Sequence, residues 1–98
     1  MDALFVYGTL QDPQVQERVF GRVVAGLPDM LDGYRKGELT INGNVYFIAV
    51  EDAAGAIAGL VMEITPAELV EIDTYEGDDY RRVRVWLRSG REAWVYCA

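Results

Sequence analysis

Short apolar runs separated by glycine, proline and acidic residues are the main pattern along this chain. Residues 3–7 are apolar throughout and predict a buried strand, since a strand covered on both faces needs no polar alternation. Asp12 and Pro13 then predict the start of a short helix that ends near Phe20. Further segments follow: strands over residues 23–27, 30–39, 45–50 and 57–64, with turns at residues 42–44 and 52–55. The pattern therefore predicts many short strands.

The second predicted helix, residues 66–76, has characteristic residues at both ends. Thr65 and Glu68 have the spacing of a capping box, with Pro66 at the first helical position. Gly77 can adopt the left-handed conformation with which many helices end. These signals define a helix of about three turns.

The last part of the chain predicts a hairpin. Residues 80–87 alternate between apolar and polar side chains, and Ser89 and Gly90 form a turn into a strand over residues 92–97. Six or seven short strands with two helices indicate the α+β class. We predict one domain over residues 1–98, a small mixed β-barrel flanked by short helices.

Glu76 is the residue of the second helix that structure alone explains least well. Glu76 lies seven positions after Leu69 and points within roughly 20° of it, on the side that Leu69 and Ile72 turn inward. Burial disfavours a charged carboxylate, and so does the negative end of a helix. Both effects raise the pKa of Glu76 from about 4.3 towards that of a useful general base. The alternative is a solvated residue at a frayed helix end, and spacing alone leaves both interpretations open.

A glycine turn at residues 7–10 follows the first strand. Gly8 lets successive backbone amides converge with no side chain in the way. Such a group of amides can hold a carboxylate or a developing oxyanion. Most strand-to-turn segments only reverse the chain, so the segment by itself indicates either a binding loop or a simple turn.

Tyr80 and Arg82 fall on one face of the strand that follows the helix. They are either a half-exposed ladder or, near Glu76, a hydrogen-bonding partner and an orienting cation. Four carboxylates of this region could also bind a hard cation: Asp73, Glu76, Asp78 and Asp79. Their spacing fits no calcium loop, and we predict no metal site.

Composition narrows the possible chemistry. The chain contains no histidine, which excludes Ser-His and Cys-His nucleophiles and histidine-ligated zinc. Cys97 is the single cysteine, which fits a reducing compartment and a packing role. The net charge of −7 makes nucleic acid and anionic membranes poor partners. With no signal sequence and no apolar run of membrane-spanning length, we expect a cytoplasmic protein with carboxylate, tyrosine or lysine acid–base chemistry.

Several segments taken together resemble the γ-glutamylcyclotransferase-like family, which includes the γ-glutamylamine cyclotransferases and the plant avirulence-induced proteins. The matching segments run nearly end to end in the same order: residues 4–10, residues 59–66, Ile72-Asp73-x-Tyr75-Glu76-Gly77, Tyr80-x-Arg82 and the closing aromatic strand up to Tyr96. The combination is much more specific than any one motif.

The resemblance implies that this chain releases 5-oxoproline and a free amine from a small-molecule γ-glutamyl amide, amine or peptide. Glu76 would be the proton acceptor. The substrate-binding residues would be Tyr7, Gly8, Thr9, Leu10, Tyr80 and Arg82. No cofactor is expected, and we expect a monomer or weak homodimer. The alternatives are a non-catalytic module that binds a small metabolite or a protein and, third, a carboxylate-bound metal hydrolase.

Overall fold

The computed structural model describes residues 1–97. A short 3-10 turn, Thr9–Gln11, lies between the first strand and the first helix. The strands and helices are β1 (Asp2–Val6), α1 (Pro13–Phe20), β2 (Leu27–Ile41), β3 (Asn44–Ile64), α2 (Pro66–Glu76), β4 (Arg81–Trp86) and β5 (Glu92–Cys97). Within residues 1–97, neither helix has the length and apolar character needed to cross a membrane.

The five strands form one curled sheet in the order β2-β3-β1-β5-β4. β1 is antiparallel to β3 and parallel to β5, so the sheet is mixed. An additional pairing of Ala49 with Cys97 joins β3 directly to β5 and curls the sheet into a half-barrel. At the other end, the Arg88 N–H donates to the Met30 carbonyl at 2.8 Å, which ties the β4–β5 hairpin to β2. The predicted α+β class is confirmed.

β1 runs between two separate apolar layers. Phe5 points into the curl of the sheet, where it packs with residues such as Leu31 and Val95. Its neighbours Leu4 and Val6 point to the opposite face, which the helices cover. Successive residues of a strand face opposite sides, and both sides of β1 are covered. All three side chains are therefore buried. Burial on both faces explains why residues 3–7 are all apolar, and the end of β1 lies in the interior.

The helix ends agree with the sequence. In α2 the Glu68 N–H donates to the Thr65 hydroxyl at 3.1 Å, and the Thr65 N–H donates to the Glu68 carboxylate at 2.8 Å. Gly77 follows with φ of +72°, and its N–H donates to the Asp73 carbonyl. The predicted capping box is confirmed. Gly77 ends the helix at the predicted place, but its ψ of −165° lies outside the left-handed helical conformation that we predicted. Both ends together place Glu76 in the last turn of α2.

Two local predictions are wrong. Residues 23–26 are not a strand, because the Val24 N–H donates to the Gln16 side chain instead of to a neighbouring strand. Residues 52–55 do not end a strand either, since β3 continues through them. Tyr34 pairs with Glu51 and Asp32 pairs with Ala56. Residues 52–55 therefore form an irregularity opposite Gly33, whose φ is +85°. The turn-forming residues bend a long ribbon here and do not reverse it.

Candidate active site

A pocket of about 410 Å³ opens where β1 ends, next to the last turn of α2 and the first part of β3. It is lined by two carboxylates, five tyrosines and mostly apolar residues: Phe5, Val6, Tyr7, Gly8, Thr9, Leu10, Ile41, Val45, Tyr46, Phe47, Tyr75, Glu76, Asp79, Tyr80 and Tyr96. The structure thus brings the 7–10 loop, Glu76 and Tyr80 to one cavity, although they are far apart in sequence.

Glu76 is half-buried and lines this pocket, in agreement with the inward position that the helix predicts for it. Burial raises the pKa of its carboxyl to about 7, because removal from water disfavours the charged form. A carboxyl with a pKa near 7 can gain and lose a proton close to neutral pH. Glu76 therefore has the protonation behaviour expected of a general base.

Three tyrosines of the pocket direct their hydroxyl protons to other acceptors. Tyr7 donates to the Tyr96 carbonyl at 2.6 Å, and Tyr96 donates to Asp73 Oδ1 at 2.6 Å. Tyr80 donates to the Phe47 carbonyl at 2.9 Å. A hydroxyl has one proton to donate, so these groups do not donate to Glu76. Their rings contribute to the burial of the site, but their hydroxyls do not stabilise the charged form of Glu76 by donating a hydrogen bond to it.

Tyr7 links three strands at the back of the pocket. Besides donating to Tyr96 in β5, its hydroxyl accepts the Ala49 N–H of β3 at 2.8 Å. Burial raises the pKa of the Tyr7 phenol, so it stays neutral. Because both hydrogen bonds are internal, the ring of Tyr7 is what it presents to the pocket. The predicted contact of Tyr7 with substrate stays a prediction.

The 7–10 loop includes the start of the 3-10 turn. The Gln11 N–H donates to the Gly8 carbonyl at 3.1 Å, and the Asp12 N–H donates to the Thr9 carbonyl at 3.0 Å. Gly8, Thr9 and Leu10 lie before the first residue whose N–H donates within the turn. Their own N–H groups therefore have no acceptor within the turn. A Cβ at Gly8 would meet no atom within 4 Å, so packing does not demand glycine here. Glycine keeps the space beside these amides open.

Two side-chain contacts hold the loop. The hydroxyls of Thr9 and Tyr75 are hydrogen-bonded at 2.7 Å, which connects the loop to the end of α2. Gln16 of α1 is buried and donates from Nε2 to the Leu10 carbonyl at 2.8 Å. Sequence reasoning missed Gln16, whose only signal is an amide on the inward-facing side of α1 beside Val15.

Arg82 is not among the residues that line the pocket. Its guanidinium binds the Asp73 carboxylate through two hydrogen bonds, at 2.7 and 3.0 Å, and lies 4.4 Å from the centre of the Trp94 ring. Hydrogen bonding from Arg82 lowers the pKa of Asp73. Asp73 also accepts a hydrogen bond from the Tyr96 hydroxyl, and Tyr96 lines the pocket. Arg82 is therefore connected to the pocket indirectly, through Asp73 and Tyr96. Its predicted role as an orienting cation stays a prediction.

Within residues 1–97, no three histidine, cysteine, aspartate or glutamate side chains are grouped so that they could hold a metal ion. Of the four carboxylates considered from the sequence, only Glu76 and Asp79 line the pocket, and Asp73 is paired with Arg82.

Comparison with known proteins identifies the family. The family model described as "Gamma-glutamyl cyclotransferase, AIG2-like" matches residues 4–98, and the chain belongs to this family. Protein AIG2 C of Arabidopsis thaliana is 35% identical over 83 residues, which are 84% of this chain and 49% of that protein. AIG2-like protein A of the same plant is 35% identical over 85 residues, 86% of this chain and 50% of the relative. The chain thus spans about half the length of the curated relatives it matches.

Solved structures show the same fold. A solution structure of an Arabidopsis thaliana protein superposes with a TM-score of 0.83 at 29% identity, covering 98% of this chain and 61% of that one. The crystal structure of an uncharacterized protein from Pyrococcus horikoshii superposes with a TM-score of 0.74 at 22% identity, over 99% of this chain and 77% of the other. The predicted family resemblance and fold are confirmed.

Proposed function

We propose that this protein is a γ-glutamyl cyclotransferase that converts a γ-glutamyl amide into 5-oxoproline and a free amine. The observation that carries the proposal is a half-buried carboxylate, Glu76, with a pKa of about 7 in a pocket shared with the 7–10 loop. Membership of a family described by this activity adds support. The reaction needs a proton acceptor and a shaped cavity, and it needs no metal.

The reaction forms one bond and breaks one. Glu76 accepts a proton from the substrate α-ammonium, and the freed amine attacks the γ-carbonyl carbon and closes a five-membered ring. The bond from that carbon to the leaving nitrogen then breaks. Two protons pass from the attacking to the leaving nitrogen, each by way of Glu76, so the enzyme ends in its starting state. Because the attack is intramolecular, a pocket that holds the substrate folded can contribute much of the rate.

The 7–10 loop and the tyrosines serve binding in this proposal. The N–H groups of Gly8, Thr9 and Leu10 hold either the substrate carboxylate or the oxyanion that develops on the γ-carbonyl. The rings of Tyr7 and Tyr80 exclude water. Arg82 acts from outside the pocket by holding Asp73, three residues before Glu76 on the same helix.

A product assay tests the proposal. Incubation with a panel of γ-glutamyl amides should release 5-oxoproline, and kcat/KM should rise with pH and level off above about 7, when Glu76 loses its proton. Chelator should leave the rate unchanged, because Glu76 and the loop need no metal. If γ-glutamyl compounds bind without turnover, the protein is a binding module with this fold. Loss of activity with chelator would favour a metal hydrolase.

A further inference from the structure

One side of the pocket is formed by exposed apolar residues near the turn between β2 and β3. We call Ile41, Val45 and Phe47 the apolar wall; all three line the pocket. Val45 and Phe47 are 60% and 49% exposed, although both belong to a strand with buried neighbours further along. Large apolar side chains left in water at the mouth of a cavity are typical of a surface that a ligand covers.

The charges around this pocket have one sign. Glu76 and Asp79 are its carboxylates, and within residues 1–97 no arginine or lysine is among the lining residues. Lys36 lies close by, with its ammonium 4.8 Å from the centre of the Phe47 ring, but outside the lining. The pocket thus offers apolar contact and negative charge beyond the 7–10 loop.

We infer that the apolar wall binds the amine half of the substrate and selects amines that have an alkyl or aryl body and lack a carboxylate. This inference rests on the proposed function and specifies its substrate class. An aryl group that covers Val45 and Phe47 removes apolar surface from water, which favours binding. A carboxylate on the same amine would leave water near Asp79 and Glu76 with no cation in the lining to pair with it, which is unfavourable.

Three synthetic substrates separate the two effects. γ-Glutamylphenethylamide and γ-glutamylphenylalanine differ by one carboxylate, and γ-glutamylmethylamide lacks the aryl body. We expect kcat/KM for 5-oxoproline release to be at least about tenfold higher for the phenethylamide than for either of the other two. A preference for γ-glutamylphenylalanine, as would follow if Lys36 bound its carboxylate, overturns the inference.

Variants locate the selectivity. Phe47→Ser should reduce the phenethylamide-to-methylamide ratio of kcat/KM at least about threefold, since it removes an aromatic surface from the wall. Trp86→Ser is the matched control, because Trp86 is 69% exposed but lies outside the pocket lining, and its ratio should equal that of the wild type. Asp79→Asn should improve the phenylalanine substrate relative to the phenethylamide. Equal ratios in Phe47→Ser and the wild type would contradict the assignment.

Binding distinguishes failure of this inference from failure of the proposed function. Calorimetric titration of the Glu76→Gln variant with all three compounds compares their Kd values without turnover, and Asp79 remains in this variant as the lining carboxylate that disfavours the phenylalanine compound. Binding of the phenethylamide that is about tenfold tighter than that of the methylamide supports the apolar wall even if the wild type releases no 5-oxoproline. Turnover of all three substrates at similar rates, with similar Kd values, leaves the cyclotransferase proposal intact and overturns the selectivity.

Discussion

Glu76→Gln should lower the rate of 5-oxoproline release by about 10²–10⁴-fold, the usual range for loss of a general base. Glutamine has nearly the size of glutamate, so the pocket keeps its shape, but its amide cannot accept the proton. In the wild type, burial already holds the Glu76 pKa at about 7, where the carboxylate can act. The loss should appear in kcat with every γ-glutamyl substrate that the wild type converts.

The same variant should be more stable than the wild type above neutral pH. The Glu76 pKa is about 7 in the folded state and about 4.5 in the unfolded state, so between these values the folded state binds more protons. The unfolding free energy of the wild type therefore falls as pH rises from about 4.5 to about 7. Removing the carboxylate should add ~1–3 kcal/mol at pH 8, after discounting for partial exposure, and nothing below pH 4.5.

Two control variants separate the proton transfer from general effects. Glu71→Gln removes a charge from an exposed position of the same helix and should leave both rate and stability near wild type. Tyr80→Phe removes the hydrogen bond to Phe47 and should lower the rate by about tenfold or less, as expected for about 0.5–1.5 kcal/mol. Near-normal turnover in Glu76→Gln would rule out the mechanism. Unfolding of that variant would show that Glu76 is a structural anchor.

Asp73→Asn should lower kcat by about tenfold with little change in KM. Asp73 does not line the pocket, but it receives two hydrogen bonds from Arg82 and one from Tyr96. These bonds attach the last turn of α2 to β4 and β5, and Glu76 lies in that turn. Loss of the paired charge lets this turn move, and Glu76 moves with it. A shift of a reacting group by about 1 Å can lower the rate by up to 10²-fold.

The stability of the Asp73→Asn variant should fall by about 1–2 kcal/mol, since the Asp73 side chain is 38% exposed and solvent weakens the pair. Asp32→Asn is the matched control, because Asp32 also binds an arginine, Arg88, through two hydrogen bonds but lies outside the pocket. Its kcat should equal that of the wild type. Equal loss of kcat in both variants, or a change of KM alone in Asp73→Asn, would contradict the positioning role.

The sequence predicted those features that depend on local chemistry. The capping box at Thr65, the glycine stop at Gly77 and the inward position of Glu76 follow from helix geometry, and the structure agrees. The family motifs also connected Glu76 with the 7–10 loop, and both line one pocket.

Features that depend on contacts across the sheet could not be predicted in this way. Residues 52–55 have the composition of a turn, yet pairing with β2 on both sides carries the strand through them. Tyr7 has both its hydrogen bonds within the fold, and Arg82 is held by Asp73 outside the pocket. Spacing along one strand shows which face a side chain occupies, but it does not show which neighbour from another element meets it there.

The pKa of Glu76 is the quantity on which the account depends most. Its side-chain carboxyl can be followed by carbon-detected NMR between pH 3 and 9, with Glu76→Gln used to assign the resonance. We expect a midpoint of about 7, set by burial in the pocket, and pKa values in kcat/KM profiles that match it. A midpoint near 4.5 would mean that Glu76 is solvated, and it would contradict the assignment of this residue as the general base.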